Sequence, residues 1–404
     1  MYDVIIIGGG AAGLFLAANI KNRKVLLLEK MKATGKKILI SGGGMCNLTN
    51  CDPSEEFLNS FGSKKKANFL KPALMNLSSE ATRNWFEKHH LPLVIREDGK
   101  VFPETLKAKS LVDCLMAEAK SNHIEIKKTE EVVQIVKIEN GFSVKTTAEE
   151  YKSAKVVITT GGKSFESTGS DGSGYRLAKS LGHKIIEPTQ ALVAVNIENH
   201  PFSELAGNSI RSSTVEFYRD GEQKRYLQGQ GDLLFTHKGI SGPVILNNSR
   251  YIHKNDLLKA SLVPTENKEI TREELHRALI SDSRKQIRSI LKSLGIFSTL
   301  ADSIMSSLNL NRDGKCSELS KKNRNKLVGI ILEYPFKVSG KGYFSSAMAT
   351  AGGVDINEIN RGTMESKLEE GLFFAGEVID IDGNTGGYNI QAAFSTAYLI
   401  SSAF

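Results

Sequence analysis

The first apolar run of the chain, residues 4–7, is short and unbroken, which is typical of a strand buried in a parallel sheet. Apolar residues then recur at helical spacing as far as about residue 20, and a second apolar run covers residues 25–28. This pattern predicts a strand, a helix and a second strand in succession. Such an order is the βαβ unit of an α/β fold.

Three glycines, Gly8, Gly10 and Gly13, stand between the first strand and the helix, and Glu29 ends the second strand. In this setting the spacing predicts a dinucleotide-binding loop, because the glycines permit a tight turn, close approach of a pyrophosphate and close helix packing. The helix N-terminus offers amide groups to the phosphates. Glu29 is predicted to accept hydrogen bonds from the ribose hydroxyls of the adenosine half.

A second glycine-rich region lies near the far end of the chain. An apolar strand at residues 372–375 runs into Gly376 and Glu377, and a new helix is predicted from about Tyr388. This order is typical of two-domain flavoproteins, so it favours FAD over NAD as the bound cofactor. No second Gly-x-Gly-x-x-Gly loop follows a strand, so NADH or NADPH is expected only as a transient reductant.

Residues 1–186 and 345–404 are predicted to form an α/β, Rossmann-like FAD-binding domain of the two-dinucleotide-binding-domain flavoprotein type. Short, partly alternating runs predict an inserted β-barrel-like domain over residues 187–267. Residues 268–344 are predicted to be an inserted helical domain of three or four helices. Thr271 and Glu274 are interpreted as the capping box that begins its first helix.

Composition adds a net charge of +8 and four cysteines, Cys46, Cys51, Cys114 and Cys316. No apolar run reaches about 18 residues, so no membrane span is expected. The start, MYDVIIIGGG, lacks the features of a signal peptide. The cysteines form no CxxC pair and no Cys/His cluster with metal spacing, which predicts reduced thiols, no metal site and a cytoplasmic location.

Three long stretches resemble one known family: GKKILISGGGMCNLTN, GDLLFTHKGISGP and TMESKLEEGLFFAGEVIDIDGNTGGYNIQAAFSTA. They are similar to the bile-acid-reductase-like (BaiN-type) flavoproteins, also called aminoacetone-oxidase-like. The resemblance implies bound FAD, redox chemistry and a Rossmann-like domain with an inserted barrel and helical region. Two positions depart from the family pattern, since Met45 stands where the family usually has Arg and Glu166 where it usually has Pro.

The predicted cofactor-binding residues lie in the two N-terminal glycine loops, at the ends of two further strands and in the C-terminal loop. They are Gly8, Gly10, Ala11, Ala12, Gly13, Glu29, Lys30, Lys36, Lys37, Ser41, Gly42, Gly43, Gly44, Met45, Cys46, Asn47, Thr49, Val132, Thr160, Gly161, Gly162, Gly376, Glu377, Asp380, Gly387, Tyr388, Asn389 and Ile390.

A flavin performs the redox step itself, so no catalytic triad is required and none is evident in the sequence. Three residues are candidates for a catalytic role. Cys46 is a redox thiol, a group that modulates the flavin, or a small apolar residue in a crowded loop. His237 is a candidate proton donor in an inserted loop, and Tyr388 stands at the start of a helix near the flavin.

The predicted function is that of an FAD-dependent oxidoreductase, which passes hydride through flavin N5 from NAD(P)H or an organic donor. The acceptor is a small organic molecule, such as a conjugated enone, or dioxygen. An RNA-modifying flavoenzyme is the second hypothesis, because residues 266–330 hold 13 Lys/Arg against 8 Asp/Glu. The same segment contains a single aromatic ring, Phe297, for stacking on bases. A non-catalytic FAD-binding protein is the third.

Overall fold

The structure, a computed structural model, describes residues 1–404 apart from the side chain of Ser54. The chain forms two units. The first comprises Met1–Ala191 with Phe344–Phe404, and the second comprises Leu192–Tyr343. Each unit has a hydrophobic core of its own.

Strands and helices alternate through most of the first unit. In chain order the strands are β1 (Tyr2–Ile7), β2 (Val25–Glu29), β3 (Thr49–Asn50), β4 (Leu93–Ile95), β5 (Lys100–Pro103), β6 (Glu125–Lys128), β7 (Val132–Ile138), β8 (Gly141–Thr146), β9 (Glu150–Ile158), β10 (Ile185–Ala191), β11 (Val195–Ile197), β12 (Ser209–Tyr218), β13 (Arg225–Phe235), β14 (Gly239–Ser241), β15 (Leu257–Ala260), β16 (Tyr334–Lys341), β17 (Ala349–Val354) and β18 (Leu372–Phe374).

The α-helices are numbered in the same way. They are α1 (Ala11–Asn19), α2 (Lys36–Ile40), α3 (Ser54–Asn59), α4 (Lys64–Asn76), α5 (Ser79–Lys88), α6 (Ala108–Ser121), α7 (Ser173–Ser180), α8 (Pro243–Leu246), α9 (Lys268–Ser281), α10 (Ile287–Ser293), α11 (Ser298–Ser307), α12 (Lys321–Leu332) and α13 (Tyr388–Ser401).

The main sheet of the first unit has seven strands in the order β6-β2-β1-β9-β8-β7, and β18 also pairs with β9. The pairs β1–β2, β1–β9, β2–β6 and β9–β18 are parallel, whereas β7–β8 and β8–β9 are antiparallel. Residues 4–7 of β1 are all buried, as expected for a central strand covered on both faces. The predicted strand–helix–strand unit and the α/β class are confirmed.

Helix α1 is buried along most of its length, from Ala12 to Ala18. Its Phe15 ring stacks on Phe394 of α13 with a centroid distance of 4.6 Å. The C-terminal helix therefore packs directly on the helix that follows the first glycine loop. This contact brings the two ends of the chain together in the first unit.

The second unit contains a closed barrel of six antiparallel strands in the order β11-β14-β13-β12-β15-β16, with β16 also paired to β11. The sequence grouped residues 334–341 with the helical region, but they form the barrel strand β16. Phe336 and Val338 are buried and alternate with the exposed Lys337, so the period changes from helical to extended just after α12. One strand of the barrel is thus separated from the others by four helices.

Helix α9 begins earlier than its sequence indicated. Asn267 is the N-cap, and its side chain accepts hydrogen bonds from the amides of Glu269 (3.0 Å) and Ile270 (3.2 Å). Thr271 lies inside the helix and donates to the carbonyl oxygen of Asn267 at 3.0 Å. The predicted capping box of Thr271 and Glu274 is therefore wrong, because Asn267 already satisfies the free amides.

Candidate functional site

The first glycine loop joins β1 to α1 and leaves no room for side chains at two of its glycines. A β-carbon at Gly13 would lie 1.9 Å from the carbonyl oxygen of Gly8, and one at Gly8 would lie 2.8 Å from the carbonyl oxygen of Thr159. A β-carbon at Gly10, by contrast, would meet no atom within 4 Å. The loop is thus packed tightly on its inner side and open at Gly10.

The open side of this loop presents unpaired backbone amides. Gly10 is the N-cap of α1 without a side-chain cap, and the first turn contains no acidic residue. No described residue accepts a hydrogen bond from the amides of Ala11, Ala12 or Gly13. Free amides beside open space at a helix N-terminus fit a phosphate group, so the residues present suit the pyrophosphate of a dinucleotide.

Glu29 lies at the end of β2, beside the same loop, and is 8% exposed. Its Oε2 accepts the Gly9 amide at 2.7 Å and its Oε1 accepts the Met31 amide at 2.8 Å. Burial raises the pKa of this carboxyl above its ordinary value, although the two backbone amides oppose the shift. Each oxygen retains a further acceptor position, which fits ribose hydroxyls as predicted.

Val132, the predicted neighbour of the adenine, begins β7 and is buried. The amide of Glu130 donates to the carbonyl oxygen of Glu29 at 3.0 Å. The start of β7 is therefore close to the end of β2. The structure brings Val132 and Glu29 into one neighbourhood.

The end of β9 carries the predicted residues Thr160, Gly161 and Gly162. The Thr160 hydroxyl is buried and has no hydrogen-bond partner among the described residues. A β-carbon at Gly162 would lie 2.4 Å from Oγ1 of Thr350 and 2.9 Å from Oε1 of Glu377. This strand end therefore contacts the C-terminal loop directly.

The three predicted lysines are held by groups of the chain itself. Lys30 pairs with Asp171 at 2.6 Å, and Lys36 donates to the Ser167 carbonyl oxygen at 3.2 Å. Lys37 pairs with Glu377 at 2.6 Å. In this arrangement the lysines anchor loops, which is one of the two roles that their sequence position suggested for Lys36 and Lys37.

The second glycine loop, Ser41–Gly44, is a single 3₁₀ turn after α2. Gly42, Gly43 and Gly44 all have positive φ, of 54°, 66° and 87°. Gly42 and Gly43 are exposed, and a β-carbon at Gly43 would meet no atom within 4 Å. The left-handed backbone, and at Gly43 no contact within the chain, explains the glycines here.

Asn47 and Thr49, which follow this loop, both bond within the chain. Oδ1 of Asn47 accepts the Val101 amide at 3.1 Å, and the Thr49 hydroxyl donates to Oγ of Ser79 at 3.1 Å. These bonds fasten the loop to β5 and to the start of α5. The loop is therefore held from one side, with its glycine turn exposed on the other.

The C-terminal loop contacts both glycine loops. A β-carbon at Gly376 would lie 3.0 Å from Cβ of Ala12 in α1, and one at Gly387 would lie 2.6 Å from the carbonyl oxygen of Thr49. Gly387 is the N-cap of α13, without a side-chain cap and without an acidic residue in the first turn. A second open helix N-terminus thus lies beside the second loop, and it includes the predicted Ile390.

The polar side chains of the C-terminal loop are mostly engaged in local bonds. Glu377 accepts the Thr350 amide at 2.8 Å besides its ion pair with Lys37. Asp380 pairs with Lys66 at 2.7 Å, and Oδ1 of Asn389 accepts the Gly383 amide at 2.8 Å. Their side chains hold the loop in shape, so its backbone is the part that a cofactor can approach.

The profile of the HI0933-like protein Rossmann domain matches residues 2–403. The chain belongs to the HI0933-like Rossmann family. The resemblance that the motifs suggested is confirmed by this match and by a bile acid reductase among the relatives.

Three relatives align with nearly the whole chain. The ribosomal RNA dihydrouridine synthase of Escherichia coli (strain K12) is 30% identical, over 98% of this chain and 96% of its own length. The protein of the same name from Haemophilus influenzae is 31% identical, over 98% and 96%. The 3-dehydro-bile acid delta(4,6)-reductase of Clostridium scindens is 29% identical, over 100% and 99%.

Among solved structures, quinol-fumarate reductase with menaquinol molecules has a TM-score of 0.51 and 14% identity, and the match covers 100% of this chain and 70% of that chain. At this identity the likeness shows the fold alone. Together the matches make this HI0933-like chain a member of an FAD-dependent oxidoreductase-like family.

Cys46 follows the second glycine loop and is fully buried, with a φ of 58°. Burial raises the pKa of its thiol to about 11. A thiol with such a pKa is protonated at neutral pH and is a poor nucleophile. Of the three roles considered for Cys46, the small buried residue agrees best with this environment.

The other two catalytic candidates lie in different units. Tyr388 is 7% exposed, its hydroxyl donates to Asp52, and burial raises its pKa to about 12. His237 is exposed in the barrel unit, within a turn closed by the Thr236 amide and the Gly239 carbonyl oxygen at 2.9 Å. Tyr388 adjoins the predicted cofactor residues, and His237 remains a prediction.

One residue near the second glycine loop was missed by the sequence analysis. Arg96 lies after β4, its guanidinium is 4.2 Å from the centre of the Phe102 ring, and its Nη2 is 3.4 Å from Sδ of Met45. A guanidinium therefore adjoins Met45, the position where the family usually has Arg. No motif marks Arg96, because only the pairing of β4 with β5 brings it to the loop.

Within the described part of the chain, no helix combines the length and the hydropathy of a membrane span. The described residues also contain no group of three or more His, Cys, Asp or Glu side chains suited to a metal ion. All four cysteines are free thiols.

Proposed function

We propose that the first unit binds one FAD molecule across its four glycine-bearing segments. The open amides at the start of α1 would hold the pyrophosphate, and the Glu29 carboxylate would hold the adenosine ribose. The backbone of Gly42–Gly44 and the start of α13 would hold the flavin half. The observation that carries this proposal is the convergence of two uncapped helix N-termini with the exposed glycine turn.

The proposed reaction is reduction of a carbon–carbon double bond that is conjugated with a carbonyl group. Formation of dihydrouridine saturates such a bond in the uracil ring, and a delta(4,6)-reductase of a 3-oxo bile acid acts on the same chemical group. Both reactions name relatives that span this chain. FAD, when bound, supplies the hydride chemistry, and the chain supplies binding, orientation and exclusion of water.

Ribosomal RNA uracil is the first candidate acceptor. Two relatives at 30% and 31% identity carry the ribosomal RNA name, and the chain has a net charge of +8 that favours a polyanionic partner. These relatives raise RNA above the second rank that the sequence alone gave it. A small conjugated enone is the second candidate, favoured by the bile acid reductase at 29% identity.

Tyr388 is the proposed positioning residue nearest to the reacting end of the cofactor. Its hydroxyl keeps its proton up to a pKa of about 12 and holds Asp52 in place. It would therefore fix the loop that carries the start of α13 rather than exchange a proton at neutral pH. A Tyr388→Phe variant is expected to retain the reaction at a reduced rate.

The test is anaerobic reduction of the purified flavoprotein by NADH or NADPH, followed by addition of an acceptor. The acceptors are ribosomal RNA from cells that lack the protein, and a 3-oxo steroid with a conjugated double bond. Reoxidation of the flavin with formation of dihydrouridine in RNA, or of the saturated ketone, supports the proposal. A reduced flavin that neither acceptor reoxidises would overturn it.

A further inference from the structure

The positive charge of the helical segment is concentrated on one helix, α12. Residues 266–330 hold 13 basic and 8 acidic residues, and four of the basic ones, Lys321, Lys322, Arg324 and Lys326, lie in the first half of α12. Without these four, the segment would hold nine basic residues against eight acidic ones. The excess of charge therefore belongs to this helix rather than to the segment as a whole.

Elsewhere in this segment, basic side chains have acidic partners. Arg288 and Arg312 both pair with Asp302, at 2.9 and 2.6 Å, and Lys268 pairs with Glu216 at 3.0 Å. Among the described residues, none of the four cations of α12 forms an ion pair, and α12 itself contains no acidic residue. The charges of α12 thus do not serve the packing of the segment.

The arrangement of these charges is unfavourable for the isolated helix. Lys321 and Lys322 stand in its first turn, where the helix dipole disfavours cations. Lys322 and Lys326 are four residues apart, which places like charges side by side on one face. A negatively charged partner on that face would relieve both effects.

The exposed face also carries a glycine that the chain does not require. Gly329 lies seven residues after Lys322 and three after Lys326, so it shares their face. A β-carbon there would meet no atom within 4 Å, although glycine is less favourable than alanine inside a helix. Bare backbone at this position lets a partner approach the helix closely.

The opposite face of α12 is apolar and already occupied. Leu327, Val328, Ile331 and Leu332 are all fully buried in the core of the second unit. A helix that binds a membrane surface needs a free apolar face, and α12 has none. Its exposed positions, Lys322, Asn325 and Lys326, offer hydrogen-bond donors and positive charge.

We infer that the face of α12 formed by Lys322, Asn325, Lys326 and Gly329 is a docking surface for the phosphate backbone of RNA. The cations would neutralise phosphates and position the RNA without reading its sequence, since α12 has no aromatic side chain to stack on bases. The inference deepens the proposed function, because it rests on RNA as the carrier of the reduced base.

The test measures binding of purified ribosomal RNA to the oxidised full-length holoprotein over a series of salt concentrations. The double variant Lys322→Glu with Lys326→Glu is expected to lose tenfold or more in affinity, and its salt dependence should fall by about two, roughly one for each phosphate contact. Bound flavin is measured in parallel to show that the variant folds. If charge reversal prevents folding, Lys322→Ala with Lys326→Ala takes its place.

A matched control reverses two exposed lysines of the first unit, Lys145 and Lys152, which changes the net charge equally. This control is expected to keep the affinity of the wild-type protein within about twofold, because it lies outside the docking surface. Gly329→Ala is expected to raise the melting temperature and yet weaken RNA binding. Equal losses in the control and in the α12 variant would overturn the inference.

Two further outcomes separate the inference from the proposed function. Binding to vesicles that contain phosphatidylglycerol, with no binding to ribosomal RNA, would overturn the docking surface but leave reduction of a small enone standing. Conversely, RNA binding that depends on Lys322 and Lys326 supports the docking surface even if the flavin reduces no base. Because binding is measured without a reductant, the two proposals can fail independently.

Discussion

In the first glycine loop a β-carbon at Gly13 would lie 1.9 Å from a backbone oxygen, whereas in the second loop a β-carbon at Gly43 would meet no atom within 4 Å. The first loop is therefore specified by crowding inside the chain. The second is specified by its left-handed backbone and leaves its outer side free. Loss of a glycine should damage the fold in the first loop and mainly cofactor binding in the second.

The largest effect is expected for Gly13→Ala. The added carbon cannot fit between α1 and the Gly8 carbonyl group, and such overpacking costs about 1–3 kcal/mol or more in the free energy of unfolding. Urea unfolding should show this loss, and the purified protein should contain no flavin. A stable Gly13→Ala protein with a full complement of FAD would contradict the packing role.

Gly10→Ala is the matched variant in the same loop. Its β-carbon meets open space, so the free energy of unfolding of the apoprotein should stay within about 1 kcal/mol of the wild-type value. FAD binding should nevertheless be lost, because the methyl group would occupy the approach to the α1 amides. Retention of FAD by this variant would show that the pyrophosphate lies elsewhere.

Glu29→Gln should weaken FAD binding by about tenfold, equivalent to 1.4 kcal/mol, through loss of a charged acceptor for ribose hydroxyls. Fluorescence titration of the apoprotein with FAD measures this change. Glu29→Asp, which keeps the charge but shortens the side chain, is the control. An unchanged dissociation constant for the glutamine variant would remove Glu29 from the site.

The same carboxyl predicts a pH dependence of the apoprotein. Because burial raises the folded-state pKa of Glu29 above its ordinary value of 4.5, the folded state binds more protons there than the unfolded state. This group's contribution to stability is therefore present in mild acid and is lost as pH rises through the raised pKa. The pH series of urea unfolding should become flatter in Glu29→Gln, and identical series would contradict the shift.

Gly43→Ala should cost about 1–2 kcal/mol, the strain of a left-handed backbone at a residue with a β-carbon. No clash adds to this cost, so the protein should fold and bind FAD more weakly. Gly43→Asn should be tolerated better, since asparagine adopts this conformation more readily. Thermal melting with and without FAD distinguishes the two, and an alanine variant that fails to fold would contradict the contrast between the loops.

Cys46→Ala should have the smallest effect. Its thiol is buried with a pKa of about 11, so activity should persist and stability should fall by about 1 kcal/mol. The native thiol should also resist alkylation until the protein unfolds. Loss of flavin reoxidation in this variant, with FAD still bound, would restore a chemical role for Cys46.

The nucleotide-binding fold was predictable because its signals are local. Strand, glycines and helix follow one another within residues 4–20, and each glycine has a steric reason that the spacing already states. The α13 start at Tyr388 was predicted for the same reason. These elements need no knowledge of distant contacts.

The features that were missed depend on contacts between distant residues. Strand β16 joins the barrel only through pairing with β11 and β15, more than 70 residues earlier in the chain. Arg96 reaches Met45 only because β4 pairs with β5. Asn267 caps α9 in place of Thr271, which is a choice between two local signals that spacing alone did not resolve.

The most direct measurement is titration of purified apoprotein with FAD, compared between the wild-type protein and Gly10→Ala. The account predicts that the wild-type protein binds one FAD and that Gly10→Ala remains folded but binds none, since open space at Gly10 is where the chain admits the pyrophosphate. Equal FAD binding by the two proteins, or none by the wild-type protein, would contradict it.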